Sequence, residues 1–266
     1  MHTNPPAPRR IGSVNWIGLW TLYAKEVRRF VKVATQTVLA PLVTTLLFLA
    51  IFSLALGRGG AEVGGVPYLQ FLAPGLIMMA MVQNAFANTS SSIIIAKIQG
   101  NIVDVLMPPL SAGELAVGFA AGGVSRGLMV GLAVAVAMAF VLPLEVHSLG
   151  FVAFHAVTAS LLLSLIGILA GIWADKFDHL AAITNFVVTP LAFLSGTFYS
   201  IERLPDTWQL VAYLNPFFYM IDGFRYGFIG HADGSLGVGL AVMTVANVVL
   251  AFAVWRAFAI GWKLKA

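Results

Sequence analysis

Six long apolar stretches dominate the chain, and each is long enough to cross a membrane as a helix. A helix crosses the hydrocarbon layer of about 30 Å in about 20 residues. The apolar windows are Val33–Leu56, Tyr68–Ala87, Leu115–Leu142, Leu149–Ala174, Leu180–Thr197 and Leu236–Ile260. Pro41, Pro74 and Pro190 lie inside three of them and are expected to kink these helices rather than end them. The pattern predicts an all-α integral membrane protein with six transmembrane helices, forming one domain over residues 1–266.

The stretch between the fifth and sixth windows fits neither a loop nor a span. Its aromatic and aliphatic side chains are too numerous for a solvated loop, yet prolines and charges interrupt it too often for a span. Broken helices at membrane depth occur where protein or a water-filled path covers them. We therefore expect residues 198–235 to form an outer re-entrant helical hairpin. Counting its two pieces as full spans would instead give seven or eight transmembrane helices. The residues predicted to form an outer gate there are Pro205, Asn215, Pro216, Asp222 and Arg225.

An amphipathic pattern precedes the first window. Apolar side chains recur there at three- and four-residue steps, flanked by lysines and arginines, at Trp16, Leu19, Trp20, Tyr23, Val27 and Phe30. Such a helix lies in the membrane interface, with its apolar face in the acyl boundary and its cations on the headgroups. Residues 14–32 are predicted to form this in-plane helix. The alternative is a polar leader that runs directly into the first span.

A second segment beside the spans is residues 93–107, which follow the second window. Lys97, Asn101 and Asp104 are spaced four and three residues apart, so a continuous helix would place them on one face. Pro108 and Pro109 would end that helix. A short helix that is polar on one side and apolar on the other suits docking to a soluble partner. The alternative is a helix that lies on the membrane surface.

Composition supports the membrane assignment. The 266 residues are 59% hydrophobic and only 10% charged, whereas a soluble domain carries about 25% charged residues. The net charge of +4 is the mild basic excess of membrane proteins that contact anionic headgroups, and it does not favour nucleic acid as a partner. There are no cysteines, which excludes disulfides and thiolate chemistry.

The distribution of basic residues predicts the orientation. With six spans and a cytoplasmic N-terminus, eleven of the 15 Lys and Arg residues fall on the cytoplasmic side and three on the outer side. Cytoplasmic loops carry the excess of Lys and Arg. Both termini are therefore predicted to face the cytoplasm, with the re-entrant hairpin outside, in a bacterial cytoplasmic (inner) membrane.

Catalytic motifs are scarce. The five histidines are scattered without metal-ligand spacing, and the chain contains neither a G-x-S-x-G elbow nor a P-loop. No catalytic, cofactor or metal site is expected. Proton- or sodium-coupled carriers usually need an ionisable relay within their spans, and intramembrane acids are lacking here. This absence indicates an energy source outside the chain.

Arg126 is the one basic residue within an otherwise apolar window. One interpretation places its side chain on a translocation pathway, because a charge at mid-membrane is costly and usually functional. The other, which the sequence favours, lets the side chain snorkel to cytoplasmic headgroups, because this window is longer than the bilayer requires. Glycines in the third and fourth windows predict close helix–helix seams, within one protomer or between two.

Two stretches of sequence together resemble the integral membrane subunit of ABC-2-type exporters. The more specific stretch is Phe193–Arg225, where FLSGTFYSIERLP, a tryptophan and LNPFFYMIDGFR occur in the order of the family signature. The second begins with FLAPGLIMM at Phe71 and continues through IIIAKIQGNIVDVLMPPLSAGEL. The chain departs from the family in its short, Gly-rich first outer loop and in reading Tyr199-Ser200-Ile201-Glu202 where the family often has a proline.

The resemblance implies an export permease that contains no ATP site. In this family two membrane subunits work with two ABC ATP-binding subunits, which bind the ATP and Mg²⁺. Residues 14–32 are similar to the family's connecting helix and residues 93–107 to its coupling helix, whose residues here are Lys97, Gln99, Gly100, Asn101 and Asp104. The substrate would be amphipathic or lipid-linked: a glycan, a lipid or a hydrophobic drug. The alternatives are an intramembrane lipid-modifying enzyme and an ion-coupled secondary transporter.

Overall fold

The computed structural model describes residues 12–56, 62–63 and 65–264, and this part of the chain is a helical bundle. Six of its helical segments are long and apolar enough to cross a membrane. The helices are α1 (Trp16–Val31), α2 (Ala34–Leu56), α3 (Tyr68–Ile98), α4 (Ile102–Leu106), α5 (Ala112–Ala139), α6 (Leu149–Trp173), α7 (Phe177–Ile183), α8 (Thr189–Leu194), α9 (Asp206–Tyr213), α10 (Pro216–Ile229) and α11 (Leu236–Ile260). A two-residue antiparallel pair, β1 (Glu62–Val63) and β2 (Val66–Pro67), precedes α3.

The longest helix, α3, forms the centre of the bundle. It packs along α5 and α6 on its two sides, and most of its side chains are buried. Helices α2, α7, α8 and α11 lie at the periphery with many large apolar side chains exposed. The amphipathic helix predicted before the first span is present as α1, which begins after an Asn15 N-cap and packs on α5.

The fifth predicted span is one continuous helical segment that contains a π-helical turn. A π-helical turn, Thr184–Val188, joins α7 to α8, and the Thr189 N–H donates to the Thr184 carbonyl. Pro190 follows at once. A proline ring clashes with the carbonyl four residues earlier, and a π-turn is one way to relieve that clash. Helices α2 and α3 likewise continue through Pro41 and Pro74, so these prolines do not end their helices.

The expectation of one continuous helix over residues 93–107 is wrong. The second span does not end at Ala87, because α3 continues to Ile98 and includes the first part of that segment. Gly100 then adopts a left-handed φ of 72°, which ends α3 as glycine commonly does after a helix C-terminus. The separate short helix α4 follows. Lys97, Asn101 and Asp104 therefore do not share one helix face.

The glycine seams lie within this chain. A methyl group added at Gly171 of α6 would lie 2.9 Å from the Ser90 carbonyl oxygen of α3. One added at Gly123 of α5 would lie 2.7 Å from Thr89 Cγ2, also of α3. Small residues let membrane helices approach each other closely. These glycines therefore hold α5 and α6 against the central helix.

Candidate coupling and gating sites

One end of the bundle, here called the basic end, brings together α1, α4, the first turn of α5 and the last turns of α3, α6 and α11. Buried apolar side chains from all of these elements form one cluster there, which includes Leu22, Ile102, Leu115, Ile172 and Leu264. The opposite end, here called the hairpin end, contains β1, β2, α9, α10 and the first turn of α6. The two ends carry the two groups of predicted functional residues.

A projecting tip, residues 98–107, stands out from the basic end. Ile98, Val103 and Met107 are 52%, 51% and 78% exposed, while Ile102 is buried and anchors α4 to the bundle. The predicted coupling residues on the tip are all exposed: Gln99, Gly100, Asn101 and Asp104. Exposed apolar side chains surrounded by polar ones are typical of a protein–protein contact. The tip has the surface that docking to a soluble protein requires.

Lys97 is not part of this exposed surface. Its ammonium group points back into the bundle and donates to the Ile172 and Ala174 carbonyls, each at 2.7 Å. These carbonyls belong to the last turn of α6 and the residue that follows it, where a helix leaves acceptors unpaired. The predicted docking role of Lys97 therefore has no support in its position, and its contacts fasten the end of α3 to the end of α6.

Asp175 strengthens this contact between the ends of α3 and α6. Its carboxylate lies 3.6 Å from Lys97 Nζ and 3.4 Å from Lys263 Nζ, which follows α11. Desolvation alone would raise the pKa of Asp175, but the two ammonium groups lower it overall. A depressed carboxyl pKa means that the stabilising contribution is present at neutral pH and is lost only as the pH falls through the folded pKa. The cluster joins α3, α6 and the segment after α11.

Glu114 joins α1 to α5 at the foot of the tip. With Ser111 it forms a capping box, in which Ser111 N–H donates to Glu114 Oε2 at 2.6 Å and Glu114 N–H donates to Ser111 Oγ. Its second oxygen accepts from the Asn15 N–H at the start of α1, and Asn15 Nδ2 donates to the Pro109 carbonyl. This joint was not predicted from the sequence, although the S-x-x-E spacing before an apolar run is a recognisable signal.

A buried polar network ties the middle of α1 to α3. Glu26 is fully buried and accepts from Ser92 Oγ at 2.7 Å. Arg29 lies 3.4 Å from the same carboxylate and donates to Asn88 Oδ1 and Ser91 Oγ at 2.9 and 3.0 Å. These contacts fasten α1 to the central helix. Sequence reasoning treated the α1 cations as headgroup ligands and so missed their partners.

At the hairpin end, Arg225 is the largest fully buried side chain in the described residues. Its guanidinium donates to the Gly196 carbonyl at 2.6 Å and to the Phe71 carbonyl at 3.2 Å, and lies 3.8 Å from the centre of the Phe71 ring. Both hydrogen-bond partners of Arg225 are peptide carbonyls, one from the loop after α8 and one from α3, and neither is a carboxylate.

The other predicted gate residues begin or stabilise the hairpin helices. Pro205 and Asn215 are the N-cap residues of α9 and α10, and Pro216 occupies the first turn of α10. Asn215 Nδ2 also donates to Leu191 O and Ser195 Oγ of the α8 segment. Asp222 accepts from the Asp233 and Gly234 N–H groups, at 2.8 and 3.1 Å. These contacts fasten α10 to its neighbours without an acid–arginine pair.

The Arg126 side chain of α5 contacts Asn84 of the central helix α3 and does not extend to one end of the bundle. Its Nη2 donates to Asn84 Oδ1 at 3.0 Å. Asn84 and the adjacent Gln83 line two cavities, of about 410 Å³ beside α7 and about 270 Å³ beside α2. Intramembrane polar groups around such cavities are typical of a transport path. Arg126 itself lines neither cavity and is connected to them through Asn84, so its place on a pathway stays a prediction. Across the described ranges, no three His, Asp or Glu side chains come together as metal ligands.

The chain is similar to known proteins over most of its length. Residues 18–229 match the family model described as ABC-2 type transporter. The chain is 40% identical over 250 residues to the inner membrane transport permease YadH of Escherichia coli K12, covering 94% of this chain and 98% of that one. It is 25% identical over 244 residues to nodulation protein J of Neorhizobium galegae, covering 91% of each chain.

Proposed function

The chain belongs to the ABC-2 type transporter family, and from that premise we propose that it is the membrane subunit of an ATP-driven exporter. It is a multi-pass transport permease of the bacterial inner membrane, and membership of the family implies an ABC ATP-binding subunit as its partner. The finer proposal is that two copies of this chain work with two copies of that subunit. The partner binds ATP and Mg²⁺, and the substrate moves outward.

The observation that carries this proposal is the exposed tip at residues 98–107. Three of its apolar side chains are more than half exposed in the described chain, and we expect the tip to lie on the cytoplasmic side, where such side chains need a protein partner to be buried. The tip is also well braced: Glu114 connects its foot to α1 and α5, and Lys97 connects it to α6. Force applied by an ATP-binding subunit to the tip would reach the spans α3, α5 and α6 through these contacts.

We propose that the substrate path lies beside Asn84 and Arg126 and that α9 and α10 close its outer end. The two cavities meet at Gln83 and Asn84 and are otherwise lined largely by apolar and hydroxyl side chains. Such a lining suits an amphipathic substrate, in the class of lipid-linked glycans, lipids and hydrophobic drugs. The outer gate comprises Pro205, Asn215, Pro216, Asp222 and Arg225.

The proposal is tested by reversing the charge of Asp104 on the tip. The chain is reconstituted with its ATP-binding subunit, and both co-purification and ATP hydrolysis are measured. Asp104→Lys is expected to weaken co-purification and to lower the stimulated hydrolysis rate roughly tenfold, or about 1.4 kcal/mol, because like charges that face each other across an interface repel. Its thermal unfolding midpoint should not change, because Asp104 is exposed and hydrogen-bonds to no side chain of the described chain.

Glu202→Lys is the matched control, because Glu202 is an exposed acid at the hairpin end. It should leave both measurements unchanged. Unchanged binding and hydrolysis in Asp104→Lys would contradict the docking role of the tip, as would equal losses in both variants.

A further inference from the structure

An apolar groove between α6 and α11 opens sideways from the bundle near its basic end. It encloses about 760 Å³ and is lined by the C-terminal halves of both helices, with Ile183 of α7 also contributing. Phe252 and Val249 on its α11 wall are 63% and 59% exposed. Ile183 borders this groove while Thr184 borders the cavity beside Asn84, so α7 separates the groove from the proposed substrate path.

The mouth of this groove is basic and aromatic. Arg256 lines it, is exposed, and forms no ion pair or hydrogen bond with the described part of the chain. Lys263 lies at the same end, with its ammonium group 5.6 Å from the centre of the Trp173 ring. Trp173 and Trp262 both line the groove and are about two-fifths exposed. Tryptophans of this kind mark the boundary between acyl chains and headgroups.

Charge complementarity identifies the occupant. An arginine at the edge of an apolar membrane groove needs an anionic partner or water. Its planar guanidinium can donate two parallel hydrogen bonds to two oxygens of one phosphate. Basic pockets between transmembrane helices on the cytoplasmic side bind acidic lipid headgroups. A non-helical polypeptide segment would need backbone partners, and an apolar groove wall supplies none. A helix of a second copy needs none, and the oligomeric state measured below distinguishes it from lipid.

We propose that this groove is a binding site for one anionic phospholipid of the surrounding bilayer. Its acyl chain lies along Leu169, Phe252 and Ala253, and its phosphate contacts Arg256, with Lys263 nearby. The inference rests on the membrane location of the chain and is independent of coupling to an ATP-binding subunit. Bound lipid here would fix the spacing of α6 and α11 close to the Lys97–Asp175–Lys263 cluster.

The test is native mass spectrometry of the full-length chain, purified in detergent and supplied with phosphatidylglycerol or with phosphatidylcholine of the same acyl chains. The parent chain is expected to retain one phosphatidylglycerol in preference to phosphatidylcholine. Arg256→Ala should weaken that retention roughly fivefold, the loss of about one headgroup contact. Ala253→Phe, which fills the groove, should abolish it.

Two matched variants serve as controls. Arg203→Ala removes an exposed cation from the hairpin end, and Ala251→Phe adds the same bulk on an exposed face of α11 that does not line the groove. Both should retain lipid like the parent. Equal retention of the two lipids, or unchanged retention in Arg256→Ala, would overturn the proposal and leave only a non-specific lipid shell. A changed oligomeric state in Ala253→Phe with lipid retention intact would also overturn it, assigning the groove to a second copy of the chain.

Discussion

Single residues show most clearly where sequence reasoning succeeds and where it stops. Arg225 and Asn215 were identified because a charge and an Asn-Pro break are conspicuous in an apolar stretch. Their partners were not, because Phe71 O and Gly196 O are peptide groups that the fold brings to Arg225 from distant parts of the chain. Buried Glu26 was not recognised either, because its partner Ser92 lies 66 residues away along the chain.

Arg225 provides the prediction at this scale. Arg225→Met removes a buried donor of two charged hydrogen bonds, to the Gly196 and Phe71 carbonyls. Charge-assisted hydrogen bonds contribute about 1.5–3 kcal/mol each, so we expect the free energy of unfolding to fall by about 3 kcal/mol. A clear drop in the thermal unfolding midpoint of the purified chain is the readout. Arg203→Met, at an exposed arginine of the same end, should change it little; an equal drop in both variants would refute the anchoring role.

At the scale of elements, the six spans could be predicted but several helix ends could not. Hydrophobic length signals a span reliably because the bilayer fixes it. Helix ends depend on the local backbone conformation. The sequence placed the end of the second span at Ala87, whereas α3 ends at Ile98, just before the left-handed Gly100. The seam glycines were recognised, but only the packed structure shows that their neighbours are in the same chain.

Two glycines of the same helix α6 offer a matched test of this seam. Gly171→Ala places a methyl group against the Ser90 carbonyl and Ile93, so α3 and α6 must separate. Overpacking of this kind costs about 1–3 kcal/mol, and we expect a lower unfolding midpoint. Gly150→Ala meets nothing within 4 Å and should be neutral or stabilising, because alanine favours helix. Equal behaviour of the two variants would show that α6 does not pack on α3 in this way.

At the scale of the whole molecule, the fold places the proposed docking residues at the basic end and the proposed gate residues at the hairpin end, and α3 runs between the two ends. This central helix carries the Glu26 network and the Lys97 cluster toward the basic end, Asn84 near its middle and Phe71 beside Arg225. We therefore expect α3 to be the element through which a displacement at the tip reaches the hairpin.

If the hairpin moves during transport, holding it still should stop the cycle. Ser195 Oγ and Asn215 Nδ2 lie 3.0 Å apart between the α8 segment and the start of α10. Cysteines at both positions, joined by a short thiol cross-linker, should lower the ATP hydrolysis of the reconstituted complex, and cleavage of the linker should restore it. The single variants with the same reagent are the controls. Full hydrolysis after complete cross-linking would show that the hairpin is static.

The central claim, that the tip docks on an ATP-binding subunit, has a direct test because the chain contains no cysteine. Met107→Cys on the tip and Leu214→Cys at the hairpin end place single thiols at residues that are 78% and 77% exposed. Each thiol carries a photoactivated cross-linker in membranes that contain the ATP-binding subunit. A covalent product with that subunit is expected from Met107→Cys and none from Leu214→Cys. The account would be contradicted by a product from Leu214→Cys, or by the absence of one from Met107→Cys in a complex that still hydrolyses ATP.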